Sequence, residues 1–262
     1  MQSLLQAVAT LVLLLAAVAL FFFIFTKGAL VLRRWRGLPV GPASHIYPVY
    51  SQPWLIRFVD QQPVISAILL FQYPRLVDVI ADALRRMDLR GRDVLITSCA
   101  FGHVIPRVAD AAFGAGARKL VLVDLIEDEL THARAKMPQF ADRIECHRGD
   151  ATAMALPAAS VAGNVLFFLL HELTSEKKVR ALDEAVRQLE PGGKLFLAEF
   201  HRPTAWPLRL LGWLYFKTFE PYGLALWDEQ DPMLQLQAIG GLKVERHTRL
   251  SGNFQVLVAT RV

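Results

Sequence analysis

Short β-rich runs recur along the chain at DVLITS, KLVLVD, RIECHR, GNVLFFLL and KLFLAE, beginning at Asp93. Helical patterns separate them, and that alternation predicts βα units building a parallel sheet. Two last runs, LKVERHT and FQVLVAT, stand close together after a helix around Leu234 to Ile239, with Ser251-Gly252-Asn253 as the turn between them. They predict a closing antiparallel hairpin. The expected fold class is α/β, a doubly wound sheet that is mostly parallel and ends in that hairpin.

The pattern upstream is different. Leu4 to Phe25 reads LLQAVATLVLLLAAVALFFFIF, uncharged and broken only by Gln6 and Thr10. About 20 apolar residues span the hydrocarbon core as a helix, so a transmembrane helix is expected. A cleaved signal peptide wants a charged start and a small-residue cleavage site, and Thr26-Lys27 follows instead. Lys27, Arg33, Arg34 and Arg36 crowd the C-terminal flank and the N-terminal flank has no basic residue. The Lys/Arg excess of cytoplasmic flanks then predicts a single-pass protein of the cytoplasmic membrane with its domain in the cytoplasm.

Between anchor and sheet lies GLPVGPASHIYPVYSQP, the composition of a connector. PVISAILLFQYPRLVDVIADALRRM follows, apolar nearly all round at first and helically spaced at Leu76, Val79, Ile80 and Leu84. Its first part is too short to span; it lies in the membrane interface or packs on the domain. The expected organisation is an anchor over 1–27, a juxtamembrane linker and helical segment over 28–90, and a main domain over 91–262 with an aromatic-rich insertion at about 203–230.

Composition sharpens this in three places. A hydrophobic content of 53% over 262 residues fits a chain that meets a bilayer. The net charge of +5 is accounted for in large part by the basic flank, which suits anionic headgroups, and no basic-aromatic array of a nucleic-acid surface follows. Cys99 and Cys146 form no C-x-x-C pair and predict free thiols rather than a structural zinc site.

In open α/β sheets ligands bind outside the carboxyl ends of the strands. Those ends read SCAFGH, Asp124, Gly149-Asp150, His171-Glu172 and Glu199-Phe200-His201. Asp124 is placed as the acid that accepts from a ribose diol. Asp150, one strand later, is placed to accept from an exocyclic amine, although an Asp in a turn is commonly an Asx cap. LEPGGK reads as a helix exit and turn in which Pro191 stops the helix.

The order SCAFG, VLVD, RGDATAMALP and LEPGGKLFLAE resembles the class I S-adenosylmethionine-dependent methyltransferases over roughly Asp93 to Thr260. VLITSCAFGHVIPRV, NVLFFLLHEL, LEPGGKLFLAEFHRP and FEPYGLALW resemble more narrowly the rhodoquinone biosynthesis methyltransferase-like proteins. The resemblance implies S-adenosylmethionine bound by Ser98, Ala100, Gly102, Asp124 and Asp150. It also marks a departure. The usual loop has an acid where this chain has Ile96, and glycines where it has Ser98 and Ala100; only Gly102 remains. The rhodoquinone proteins share this departure. The resemblance to them implies S-adenosylmethionine as amino donor, a methoxy group of ubiquinone replaced by an amino group, and manganese assistance. Ordinary methyl transfer to a quinone or lipid, and a catalytically silent binding subunit, are the competing readings.

His171 and His201 are the candidates for catalysis, and His171, Glu172 and His201 for a metal, because imidazole and carboxylate suit a divalent ion or general acid–base work on a quinone carbonyl. His103 is a weaker member of the same set. A His-Glu pair at a strand-to-helix junction also caps or orients the next helix, here the one near Thr174-Ser175-Glu176. The insertion PTAWPLRLLGWLYFKTFEPYGLALW concentrates seven aromatics, Trp206 to Trp227. It forms either an apolar lid for an isoprenoid quinone or a second membrane-contact face.

Overall fold

A computed structural model describes residues 2–25, 53–99, 101–218 and 220–262. The basic flank from Lys27 to Arg36, most of the connector, Ala100 and Phe219 lie outside the described residues. In chain order the helices are α1 (Gln2–Phe25), α2 (Pro53–Val59), α3 (Gln62–Ile68), α4 (Tyr73–Arg85), α5 (Val104–Gly114), α6 (Glu127–Ala135), α7 (Ser175–Arg187), α8 (Trp206–Thr218) and α9 (Pro232–Ile239). The strands are β1 (Asp93–Thr97), β2 (Lys119–Asp124), β3 (Ile144–Arg148), β4 (Val161–Phe167), β5 (Leu189–Phe200), β6 (Leu242–Arg249) and β7 (Phe254–Arg261).

All seven predicted strands form one sheet of order β3-β2-β1-β4-β5-β7-β6. The first five pair in parallel, and β7 runs antiparallel to both β5 and β6. Strand order reverses between β1 and β4, so a crevice opens above their carboxyl ends. Buried residues pack on both faces. Ile80, Val94, Ile105, Leu120 and Phe196 belong to one cluster, and Leu95, Leu166, Leu182, Leu197 and Leu257 to the other. The near-continuous apolar strands are explained by this double coverage.

LEPGGK differs from expectation. α7 already ends at Arg187, and Leu189 to Phe200 is one strand. Between the pairs Val161↔Leu189 and Gly163↔Lys194, β4 advances two residues while β5 advances five. Pro191 and the glycines therefore make a bulge at the strand's start rather than a turn before it, a role that suits residues unable to extend a ladder.

The segment before the sheet is two helices. α3 and α4 meet at 102°, with Leu70 and Phe71 in left-handed backbone at the corner. Leu76, Val77, Ile80 and Leu84 of α4 are buried against the sheet. Burial of such side chains contributes about 1.5–3 kcal/mol each, so α4 is a core element of the domain. α1 is a continuous helix; its described apolar stretch, Val8 to Leu20, is too short by itself to cross a membrane, and no other single helix among the described residues is long and apolar enough.

Candidate cofactor and catalytic site

The loop after β1 keeps a glycine-like backbone with few glycines. Ser98 has φ +72° and Gly102 φ +79°. The left-handed region costs a residue with a Cβ about 1–2 kcal/mol, and here bonds offset it. The Ser98 N–H donates to Val123 O at 2.8 Å and its hydroxyl to Asp124 Oδ2 at 3.3 Å. At Gly102 no substitute fits, because a Cβ there would stand 2.7 Å from the Tyr73 hydroxyl and 2.9 Å from Ile65 Cγ2. Ile96, at the position of the missing acid, is buried in the core.

Asp124 ends β2 with its carboxylate aimed at this loop. It accepts from Cys99 N at 2.6 Å and from Ile126 N at 2.8 Å, so it ties the loops after β1 and β2 together. Burial raises its carboxyl above the ordinary value against the pull of those N–H donors. Asp150 lies one strand further, half-buried, and accepts from the Thr152 N–H and hydroxyl at 2.8 Å each. It is an Asx-type turn; burial raises its carboxyl, and the Thr152 bonds together with Lys177 and Arg180 bring the net below the ordinary value.

Three residues that sequence reasoning missed close over the same loop. Asp60, just after α2, accepts from Gly102 N at 2.8 Å, from Lys136 Nζ at 2.7 Å, and stands 3.0 Å from His132 Nε2. Lys136 also donates to Gly102 O at 2.9 Å. Their spacing in sequence, 42 residues between Asp60 and Gly102, carries no local signal.

At the ends of β4 and β5 a second cluster forms. His171 Nδ1 lies 3.1 and 3.3 Å from the two oxygens of Glu199, whose carboxylate also accepts from the N–H groups of Phe200 and His171. Glu199 is fully buried. Burial opposes the charge on His171, but Glu199, Glu172 and Glu220 together raise it to about 9, so the ring is an imidazolium at neutral pH. Phe168 and Phe200 pack edge-on against it. Glu199 had a sequence signal: a carboxylate inside the otherwise apolar run LFLAEF is costly unless paired.

The expected metal set does not converge. Glu172 Oε1 is 3.9 Å from His171 Nε2, but His201 turns to the closing hairpin. Its Nδ1 meets Gly252 O at 2.7 Å and its Nε2 takes the Arg246 guanidinium at 3.1 Å. Both ring nitrogens are thus committed, because His201 lies beyond the last residue of β5, where the chain crosses to the Ser251–Asn253 turn. His103 is exposed at the start of α5, its N–H donating to Gln62. Among the described residues no three His, Cys, Asp or Glu side chains are grouped to hold a metal ion. The described residues do not fit manganese.

The insertion is α8 followed by a 3-10 helix, Pro221–Trp227. Phe216 is buried between Phe200 and Trp227, with ring centroids at 5.2 and 5.6 Å. Gly223 is needed beside it, since a Cβ there would meet Phe216 at 2.5 Å. A cleft of about 650 Å³ opens between α8 and the 3-10 helix, lined by Arg202, Trp206, Leu210, Trp213 and Trp227 among others. The wall of that cleft therefore reaches, through Phe216 and Phe200, to His171.

Residues 94–193 match the model of the methyltransferase domain family. A ubiquinone/menaquinone biosynthesis C-methyltransferase of Paracoccus denitrificans is 32% identical over 127 residues, 48% of this chain and 48% of that protein. The match thus spans about half the length of that relative. A demethylmenaquinone methyltransferase of Renibacterium salmoninarum is 25% identical over 225 residues, 76% of this chain and 92% of that protein. Among solved structures, a SAM-dependent methyltransferase from Aquifex aeolicus superposes with a TM-score of 0.57 at 18% identity, over 80% of this chain and 99% of its own. The [4+2]-cyclase SpnF superposes at 0.53 with 17% identity, over 71% and 80%.

Proposed function

We propose that this chain, a member of the class I S-adenosylmethionine-dependent methyltransferase superfamily, is an S-adenosylmethionine-dependent transferase that modifies the head group of a membrane quinone. The observation that carries this reading is the His171–Glu199 pair, set at the strand ends beside the cofactor loop and backed by an aromatic wall. S-adenosylmethionine supplies the transferred group. Asp124 takes the ribose, Asp150 the adenine edge, and the loop from Ser98 to Gly102 the methionine part. His171 enters charged, so it serves as a donor to a quinone or phenolate oxygen rather than as a base.

Two reactions suit that donor. In the reading we favour, the amino nitrogen of S-adenosylmethionine would bond to a methoxy-bearing carbon of ubiquinone, and the methoxy group would leave with a proton as methanol. The donor's N–Cα bond would be broken with water as the ring takes up two electrons, giving rhodoquinone in its reduced form. The imidazolium would make the ring more electrophilic by holding a carbonyl oxygen. Its support is the resemblance to the rhodoquinone proteins and the loop that lacks the acid at Ile96 and the glycines at Ser98 and Ala100. Methyl transfer is favoured instead by the two curated relatives. Fold likeness does not choose, since one fold neighbour is a cyclase. Mass spectrometry of quinones from a ubiquinone-producing host decides: amino-for-methoxy exchange lowers the mass of ubiquinone, and methylation raises that of a precursor. An unchanged quinone pool refutes both reactions on quinones and favours methyl transfer to another lipid or a silent binding subunit.

The partner implied is the bilayer. α8 exposes Trp206, Leu210, Leu211, Trp213 and Leu214, with Arg202, Arg209 and Lys217 beside them. Aromatic and basic residues of this kind settle at headgroup level. We place α8 at the interface, with the N-terminal apolar helix as a single-pass anchor of the cytoplasmic membrane and the cleft opening toward the lipid. In vesicles containing brominated lipid, tryptophan fluorescence is expected to be quenched, and most of that quenching to vanish in the Trp206→Phe/Trp213→Phe double variant. Equal quenching in both proteins sinks this placement.

A further inference from the structure

Glu129 is a carboxylate in a place where helix packing gives it nothing to do. It stands in the first turn of α6, five residues after Asp124, and is only 3% exposed. Its Oε1 is buried and has no hydrogen-bond partner among the described residues. An unsatisfied buried carboxylate costs more than almost any other single side chain in a domain.

Its place in the chain locates it: α6 begins three residues after Asp124, at the carboxyl end of β2. Asp124 at the end of β2, Lys136 after α6, Asp60 from the segment over the loop and Glu172 beyond β4 all act on its carboxyl. Cys99 of the first loop is in turn acted on by Asp124 and Glu129. The first turn of α6 thus stands at the carboxyl edge of the sheet, next to Asp124, whose carboxylate holds the loop after β1 through Cys99 N. Of these carboxyls Asp60 is paired with Lys136 at 2.7 Å, and Glu172 stands 3.9 Å from the charged His171. Glu129 is the one among them with a buried oxygen lacking a partner among the described residues, and a cationic ligand is what such a carboxyl would accept.

We propose that Glu129 recognises the cationic sulfonium–ammonium end of S-adenosylmethionine, supplying from α6 the acid that the first loop lacks at Ile96. This rests on the cofactor assigned under the proposed function. Burial, with Asp124 the next largest influence, raises the Glu129 carboxyl to about 8. Without ligand it therefore holds a proton at neutral pH; a cation beside it favours the carboxylate, and binding releases that proton. Because the folded value lies above the ordinary 4.5, ionised Glu129 works against the fold, and the penalty grows from pH 4.5 to about 8. A Gln there removes it.

The test is isothermal titration of the full chain in detergent with S-adenosylmethionine, at pH 7 in two buffers of different ionisation enthalpy. The unaltered chain is expected to release protons on binding. Glu129→Gln is expected to lose that release and bind about 10- to 100-fold more weakly, as for a charged hydrogen bond. Its melting temperature without ligand at pH 8 is expected to rise, which no merely structural role gives. Glu129→Met, similar in volume, checks the same loss without a polar replacement. Unchanged affinity in both variants overturns the role of Glu129 and leaves the cofactor assignment standing. No binding by the folded, unaltered chain overturns the cofactor assignment itself, and this role with it.

Discussion

Glu199→Gln is expected to lower turnover about 10²- to 10³-fold while leaving the fold in place, the range seen when general acid–base groups lose their support. Gln keeps the shape and one acceptor oxygen, which serves one of the two N–H groups that Oε1 and Oε2 now accept from, Phe200 N and His171 N; it also loses the charge that holds His171 as an imidazolium. The pH profile separates this from a structural role. With His171 raised to about 9, the active acid of the unaltered enzyme is lost only as pH rises through about 9. In Glu199→Gln that limb is expected to move toward the ordinary histidine value near 6.5 or below it.

Stability should follow the same groups. A histidine whose folded pKa is raised contributes stability that is fully present below about 6.5 and lost as pH climbs through about 9. Melting temperature is therefore expected to fall across that window in the unaltered chain and to be flatter in Glu199→Gln. The reverse deletion, His171→Ala, leaves Glu199 as an uncompensated buried carboxylate and is expected to cost about 3–5 kcal/mol, which makes it the poorer test of chemistry. Normal turnover in Glu199→Gln with a lowered melting temperature would reduce the pair to a cap on the junction before α7.

Asp124→Ala is the second large effect. Its carboxylate is the shared acceptor of Cys99 N, Ser98 Oγ and Ile126 N. Alanine leaves these donors unsatisfied at about 1–3 kcal/mol each for those that stay buried. Loss of S-adenosylmethionine binding, about 100-fold or more, is expected together with a lower melting temperature. Asp124→Asn divides the two roles: it returns an acceptor to the loop and should recover much of the stability, but it does not return a carboxylate to the ribose, so titration should still show weak binding. Recovery of full affinity in Asp124→Asn counts against the ribose assignment.

The seven strands and the closing hairpin were legible in sequence: β1, β2 and β4 because a strand buried on both faces is apolar along its length, β6 because an edge strand alternates, and β3 as a short β-rich run between helical patterns. Asp124 was legible as the acid that ends a strand beside a loop, and Gly102 only through the family resemblance, as the one glycine left in that loop; that it packs against Tyr73 was not legible. The helix pair α3–α4 was half legible. Its periodicity was clear, but the right-angled corner at Leu70-Phe71 depends on docking against the sheet.

Side-chain partnership across strands was beyond reach. His171 and His201 both stand at strand ends and read alike, yet β5 releases the chain at Phe200 and carries His201 toward Gly252 and Arg246. Glu199, the residue one step inside the strand, meets His171 instead. Asp60, Glu129 and Lys136 each look like ordinary surface charges in sequence. By itself the sequence determined the layered α/β sheet, the edge on which polar strand ends collect and the position of Asp124 at the end of its second strand, since these follow from hydrophobic period and local turn chemistry. Only the tertiary structure decided which carboxylates crowd the loop and which histidine is charged, because burial and charge pairing arise from contacts between residues tens of positions apart.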